Sequence, residues 1–107
     1  MEPPMKQELI RRVVDTIIAV ADPVRIILFG SAARGETGPD SDLDLLVVIR
    51  TGRHRRKTAQ KIYRQLVSVG CAADIVVVTE EDLERYGDAP GMIIARALAE
   101  GSELYAA

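Results

Sequence analysis

The chain has 107 residues and a mass of 11.7 kDa, which predicts a single domain over residues 1–107 because two hydrophobic cores would not fit. Apolar residues make up 48% and charged residues 28% of the sequence, a balance typical of a soluble globular protein and not of a disordered one. No apolar run reaches the roughly 20 residues of a membrane helix, and the first twelve residues lack the apolar segment of a secretory signal. The single Cys71 cannot form an internal disulfide. These features predict a cytoplasmic protein without membrane contact.

The net charge of −2 conceals a segregation of charge along the chain. Residues 45–73 contain no Asp or Glu, and the rest of the chain carries sixteen acidic against seven basic residues. The seven basic residues of the acid-free segment are Arg50, Arg53, Arg55, Arg56, Lys57, Lys61 and Arg64. Such a segment indicates either an anionic partner or substrate, or simply a solvated helix face.

The first half of the chain predicts a helix, a strand, a loop and a second strand. Apolar residues recur at three- and four-residue spacing over 5–21, which predicts an amphipathic helix that Asp22-Pro23 ends. Residues 24–29 are short, β-branched and nearly all apolar, as in a strand covered on both faces. Residues 30–41 are rich in turn formers, and 43–49 form a second buried strand.

The second half of the chain predicts five further elements: a helix over 54–69, a strand over 74–78, a helix after Thr79, a helix over 92–99 and an edge strand over 103–106. Thr79 is expected to cap a helix after the third strand, with Asp82 at its third position. The residues expected to face inward from the 54–69 helix are Ala59, Ile62, Tyr63, Leu66 and Val67. The predicted fold class is therefore α/β (α+β), a small mixed sheet with helices packed on it.

Gly30-Ser31 directly follows the first buried strand. A glycine permits a sharp turn and the close approach of a ligand. The serine adds a hydroxyl and backbone N–H groups that can hold phosphate oxygens. The dipeptide alone is a weak signal, because Gly-Ser after a strand is common in any turn.

Asp42 and Asp44 open the second strand, with Leu43 between them. Because side chains alternate along a strand, the two carboxylates point to the same face and Leu43 points into the core. Carboxylate oxygens of this kind suit Mg²⁺, although a bare Asp-x-Asp is also compatible with two solvated acids. Asp74 opens the third strand, and it can reach the same patch if that strand lies beside the second. Three carboxylates match the needs of a two-metal phosphoryl-transfer site.

The pattern of Gly30-Ser31, ten residues, Asp42-Leu43-Asp44 and a third Asp on a later strand resembles the nucleotidyltransferase superfamily that includes DNA polymerase β. The short chain and its last residues are similar to the minimal nucleotidyltransferase (MNT) branch. The resemblance implies the polymerase β-like fold, with Gly30 and Ser31 binding the phosphates of ATP. It also implies two Mg²⁺ ions held by Asp42, Asp44 and Asp74, which would be the catalytic residues.

The MNT branch further implies an antitoxin that adenylylates a tyrosine of a HEPN ribonuclease toxin. No second domain is expected that could supply an acceptor hydroxyl, so a partner protein or a homodimer is expected to supply it. The alternative is a non-catalytic nucleotide-binding module that neutralises a HEPN partner by occlusion. Nucleotidylation of a small molecule is disfavoured by the missing second domain. Direct nucleic-acid binding is not expected, because the chain has no Trp and only four aromatic residues on which bases could stack.

Overall fold

The computed structural model describes residues 5–30, 43–70 and 72–107. In chain order the elements are α1 (Met5–Ala21), β1 (Arg25–Phe29), β2 (Leu43–Ile49), α2 (Arg55–Leu66), β3 (Ala73–Thr79), α3 (Glu80–Tyr86), α4 (Ile93–Glu100) and β4 (Ser102–Ala106). The predicted α/β class and every predicted element are confirmed, and the helix that Thr79 was expected to cap is α3. Within the described ranges, no helix is both long and apolar enough to cross a membrane.

The strands form one mixed four-stranded sheet in the order β3-β2-β1-β4. β1 pairs antiparallel with both β2 and β4, whereas β2 and β3 run parallel and are joined through α2. β3 and β4 are therefore the two edges of the sheet. The predicted edge strand near the chain end is confirmed as β4.

Helices cover both faces of the sheet, which gives three layers. On one face, Val13 and Ile17 of α1 and Ile62 of α2 pack against alternate residues of β2, Leu43, Leu45, Val47 and Ile49. On the other face, Ile94 and Ala97 of α4 pack against Ile27, Leu46 and Val48. Because both faces are covered, β2 is apolar almost throughout. The interruption in that apolar run is Asp44.

Helix α2 is shorter than predicted, and its buried face is narrower. His54 lies just outside the helix, where its Nδ1 accepts a hydrogen bond of 3.2 Å from the N–H of Lys57. The buried residues are Thr58, Ile62 and Leu66, one turn apart. The prediction that Tyr63 and Val67 face inward is wrong, since they are 43% and 80% exposed. A single line of side chains at i, i+4 and i+8 fills the space against α1 and the sheet, so the neighbouring positions are left outside.

The predicted cap of α3 is confirmed as a reciprocal capping box. The hydroxyl of Thr79 accepts a 3.1 Å hydrogen bond from the N–H of Asp82, and the carboxylate of Asp82 accepts one of 3.0 Å from the N–H of Thr79. Two backbone donors at the start of α3 are satisfied in this way. Arg55 donates to the same carboxylate at 3.0 Å and links α2 to α3.

Candidate functional site

Gly30 and Asp44 lie against each other where β1 ends and β2 begins. Phe29, the last residue of β1, is the register partner of Asp44. Gly30 then turns the chain with a φ of +75°, in the left-handed region that glycine tolerates best. A Cβ atom added to Gly30 would overlap Oδ2 of Asp44 and lie 3.1 Å from its Cγ. Glycine is therefore required here twice, for its backbone conformation and for the room that the carboxylate occupies.

Asp74 is the register partner of Asp44 on the adjacent parallel strand. Neighbouring strands are about 4.8 Å apart, and register partners of parallel strands project from the same face. That face is the one opposite to Leu43 and Ile75, which lie in the core beneath α1 and α2. Asp44 is half-buried and Asp74 is exposed. β3 lies beside β2, which is the condition on which Asp74 could reach the same patch, and the register places Asp44 and Asp74 side by side near the start of both strands.

The other two residues of the predicted site, Ser31 and Asp42, lie outside the described residues. Within the described ranges no group of three or more His, Cys, Asp and Glu side chains could hold a metal ion. The donor chemistry of the described pair nevertheless fits Mg²⁺, which favours carboxylate oxygens and takes one or two of them beside phosphates and water. Asp44 and Asp74 could therefore contribute ligands to a cation bound together with a phosphate.

The acid-free segment does not reach this site as a single basic surface. Asp44 lies near the start of β2, and α2 follows the end of that strand at Ile49. The start of α2 therefore lies at the end of the sheet opposite to Asp44 and Asp74. There Arg50 pairs with Asp22 at 3.2 Å, and Arg53 donates to the carbonyl oxygens of Ala21 and Asp22 at the end of α1. Arg50 and Arg53 therefore already have partners within the fold. No local pattern in the sequence indicates these contacts, because the partners of Arg50 and Arg53 lie 28 and 32 residues away.

Arg55 likewise has an internal partner in Asp82. The N–H of Thr79, more than any other group, holds the pKa of the Asp82 carboxyl below its usual range. The hydroxyl of Thr79 and the guanidinium of Arg55 act in the same direction, whereas burial opposes them. Asp82 is thus a structural carboxylate, in contrast to Asp44 and Asp74 at the other end of β2 and β3.

The family model of the nucleotidyltransferase domain matches residues 8–102 of the chain. The chain belongs to the nucleotidyltransferase family. The matched range includes Gly30, Asp44 and Asp74 and the whole of β1, β2 and β3, and it ends at the first residue of β4. No protein of curated function matches the chain.

Solved structures with the same fold extend this finding. A structure assigned as a minimal nucleotidyltransferase is 32% identical to the chain, has a TM-score of 0.60, and is aligned over 90% of this chain and 92% of its own. A protein from Sulfolobus solfataricus assigned as a nucleotidyltransferase has a TM-score of 0.61 at 18% identity, over 92% of this chain and 78% of its own. A toxin–antitoxin structure with AMP-PNP has a TM-score of 0.57 at 18% identity, over 90% of this chain and 73% of its own. The nucleotidyltransferase fold predicted from the sequence is confirmed.

Proposed function

We propose that this nucleotidyltransferase moves AMP from ATP onto a tyrosine hydroxyl of a HEPN ribonuclease toxin and thereby acts as its antitoxin. The observation that carries the proposal is the in-register pairing of Asp44 with Asp74, beside Gly30, on a nucleotidyltransferase sheet. The similar toxin–antitoxin structure with AMP-PNP supports both the class of partner and the adenine nucleotide. The 32% identity to a minimal nucleotidyltransferase supports the branch of the family.

Each site residue has a defined part in the proposed reaction. Gly30 and Ser31 bind the β- and γ-phosphates, and the absence of a side chain at Gly30 leaves room for the Asp44 carboxylate. Asp42, Asp44 and Asp74 would hold two Mg²⁺ ions, which when bound would neutralise charge on the triphosphate and lower the pKa of the acceptor hydroxyl. Asp74 is exposed at the edge strand β3, so a hydroxyl of another protein can approach it.

The transfer replaces a phosphoanhydride bond of ATP by a phosphate ester bond to tyrosine. The tyrosine oxygen bonds to the α-phosphorus of ATP, the bond between that phosphorus and the α–β bridging oxygen breaks, and pyrophosphate leaves. Asp74 helps to remove the proton of the tyrosine hydroxyl. The products are adenylylated tyrosine and pyrophosphate, and no oxidant or reductant is consumed.

Transfer of label from [α-³²P]ATP to a HEPN-domain protein tests the proposal. The wild-type chain with Mg²⁺ should label the HEPN protein on tyrosine, and Asp44→Asn or Asp74→Asn should reduce the rate at least a hundredfold. Asp88→Asn is the matched control, because it makes the same change at an exposed acid of the loop after α3. A stable complex that inhibits the ribonuclease without any labelling would instead establish the binding module that acts by occlusion.

A further inference from the structure

The outer face of α2 carries a basic surface of four cations: Arg56, Lys57, Lys61 and Arg64. All four are exposed, and they lie on the half of the helix opposite to Ile62 and Leu66. None of the four has an ion pair within the part of the chain that the structure describes. They therefore differ from Arg50, Arg53 and Arg55, whose charges the fold already uses.

Two large apolar side chains lie exposed on the same side of α2. Val67 is the most exposed of the large hydrophobic residues that the structure describes, and Tyr63 lies one turn before it. The ring of Tyr63 is held in place, because its hydroxyl accepts a 2.8 Å hydrogen bond from the N–H of Ile75 on the edge strand β3. A side chain that is already fixed loses little conformational entropy when a partner covers it.

The basic surface faces away from the catalytic carboxylates. α2 packs on the sheet face formed by Leu43, Leu45 and Ile75, whereas Asp44 and Asp74 project from the opposite face. A nucleotide bound at those carboxylates would not contact the outer side of α2. The cations are therefore available to a second molecule.

We infer that the outer face of α2, with Tyr63 and Val67 bordered by the four cations, is a docking surface for a protein that presents acidic side chains around an apolar recess. An apolar centre with a charged border is the anatomy of a protein interface. Val67 offers neither a hydrogen bond nor a stacking plane to a nucleobase, which favours a protein over a nucleic acid. Charge complementarity across such a surface accelerates association and rejects partners of the wrong charge.

A second copy of the chain fits this surface poorly. An α2–α2 contact would place like charges opposite each other. The exposed residues of α3 include the acids Glu80, Glu81 and Glu84 but none of the large hydrophobic residues that lie exposed. A contact of α3 with α2 of a second copy would therefore pair opposite charges but leave Tyr63 and Val67 without an apolar partner. The occupant is therefore a different protein. This inference goes beyond the proposed function and does not depend on nucleotidyl transfer.

Titration with defined probes, followed by NMR amide shifts, tests the inference. The first probe is a 20-residue helical peptide with Leu at i and i+4 flanked by Glu, the second has both Leu replaced by Ser, and the third is a single-stranded RNA of 20 nucleotides. The Leu-Glu peptide should bind and change the amide chemical shifts of residues along α2. The Ser peptide should bind at least fivefold more weakly, and the RNA should also bind more weakly than the Leu-Glu peptide. Raising the salt from 20 to 300 mM should weaken the peptide complex, because surface charges are then screened.

Variants separate this surface from general attraction of opposite charges. Lys57→Glu with Lys61→Glu should weaken binding of the Leu-Glu peptide at least tenfold, and Val67→Ser should weaken it several-fold. Arg11→Glu with Arg12→Glu is the matched control, since it makes the same charge change at exposed positions of α1 and should alter binding less than twofold. The inference would be overturned if the RNA bound more tightly than the Leu-Glu peptide or if the two peptides bound equally. It would also be overturned if the two charge reversals had equal effects or if no peptide bound at millimolar concentration. Labelling of a HEPN protein is measured separately, so failure of the proposed function would leave these results unchanged.

Discussion

Replacing Gly30 by Ala should disturb the backbone and the Asp44 carboxylate together. At a φ of +75° an L-residue costs about 1–2 kcal/mol more than glycine. The new methyl group would also overlap Oδ2 of Asp44 and lie 3.3 Å from its Cβ, and forcing an extra methyl into a packed site costs about 1–3 kcal/mol. The free energy of unfolding should therefore fall by about 2–5 kcal/mol, which lowers Tm by roughly 8–20 °C in a domain of this size.

Gly70→Ala is the matched control for this substitution. Gly70 has the same φ of +75°, but a Cβ added there would meet nothing within 4 Å. Gly70→Ala should therefore lower the free energy of unfolding only through the unfavourable backbone conformation, by about 1–2 kcal/mol. This corresponds to a decrease of roughly 4–8 °C in Tm. The difference between the two variants measures the overlap with Asp44.

Thermal unfolding and the transfer assay together check the reasoning. Since a displacement of about 1 Å at a reacting group can cost about a hundredfold in rate, Gly30→Ala should lose transfer activity on that scale and Gly70→Ala should retain it. Removing the carboxylate in Asp44→Ala should make the further change Gly30→Ala less destabilising than it is in the wild-type chain. Equal Tm values for Gly30→Ala and Gly70→Ala would refute the contact between Gly30 and Asp44.

Two further substitutions and one pH effect follow from the contacts of the fold. Tyr63→Phe removes the hydroxyl bound to Ile75, so it should cost about 0.5–1.5 kcal/mol in thermal unfolding and accelerate hydrogen exchange of the Ile75 amide. Asp82→Ala removes half of the capping box and the Arg55 contact, and it should cost about 1–2 kcal/mol at neutral pH by chemical denaturation. Because folding lowers the pKa of Asp82, its contribution to stability is full above the unfolded-state pKa of about 3.9 and is lost as the pH falls through the folded-state value. The stability difference between wild type and Asp82→Ala should therefore stay constant near neutral pH and shrink below about pH 4, and a difference that grew on acidification would contradict this account.

The helices and strands could be predicted from the sequence because the turn, capping and apolar patterns of each segment agree with the burial that the fold gives it. The bounds of α1 and β2 match the predicted ranges, since Pro23 limits the helix and an unbroken apolar run defines the strand. The edge strand β4 was predicted with its start one residue late. The capping box followed from Thr79 and its spacing to Asp82.

Helix α2 shows what the sequence could not predict. Its apolar spacing favoured an inward face that included Tyr63 and Val67, but the width of the buried face depends on how closely α1 and the sheet approach. The polar Thr58 occupies that face instead, where its hydroxyl donates to the carbonyl of His54 at 2.8 Å. These are tertiary effects, and local propensity does not contain them.

The pairing of Asp44 with Asp74 depended on strand order in the same way. The sequence predicted that the two acids could meet if β3 lay beside β2, and the parallel register places them directly side by side. The contact of Gly30 with Asp44 was not predicted, because it arises between two strands that pair antiparallel. The roles of Gly30, Ser31, Asp42, Asp44 and Asp74 in binding phosphate and metal stay predictions.

Binding of Mn²⁺ together with a non-hydrolysable ATP analogue tests the central claim most directly. Mn²⁺ takes the same oxygen ligands as Mg²⁺ and broadens the NMR signals of nearby amides. Broadening should centre on Gly30, Asp44 and Asp74 and should disappear in Asp44→Asn. Broadening centred on the acidic residues of α3, or unchanged broadening in Asp44→Asn, would contradict the assignment of these carboxylates as the metal site.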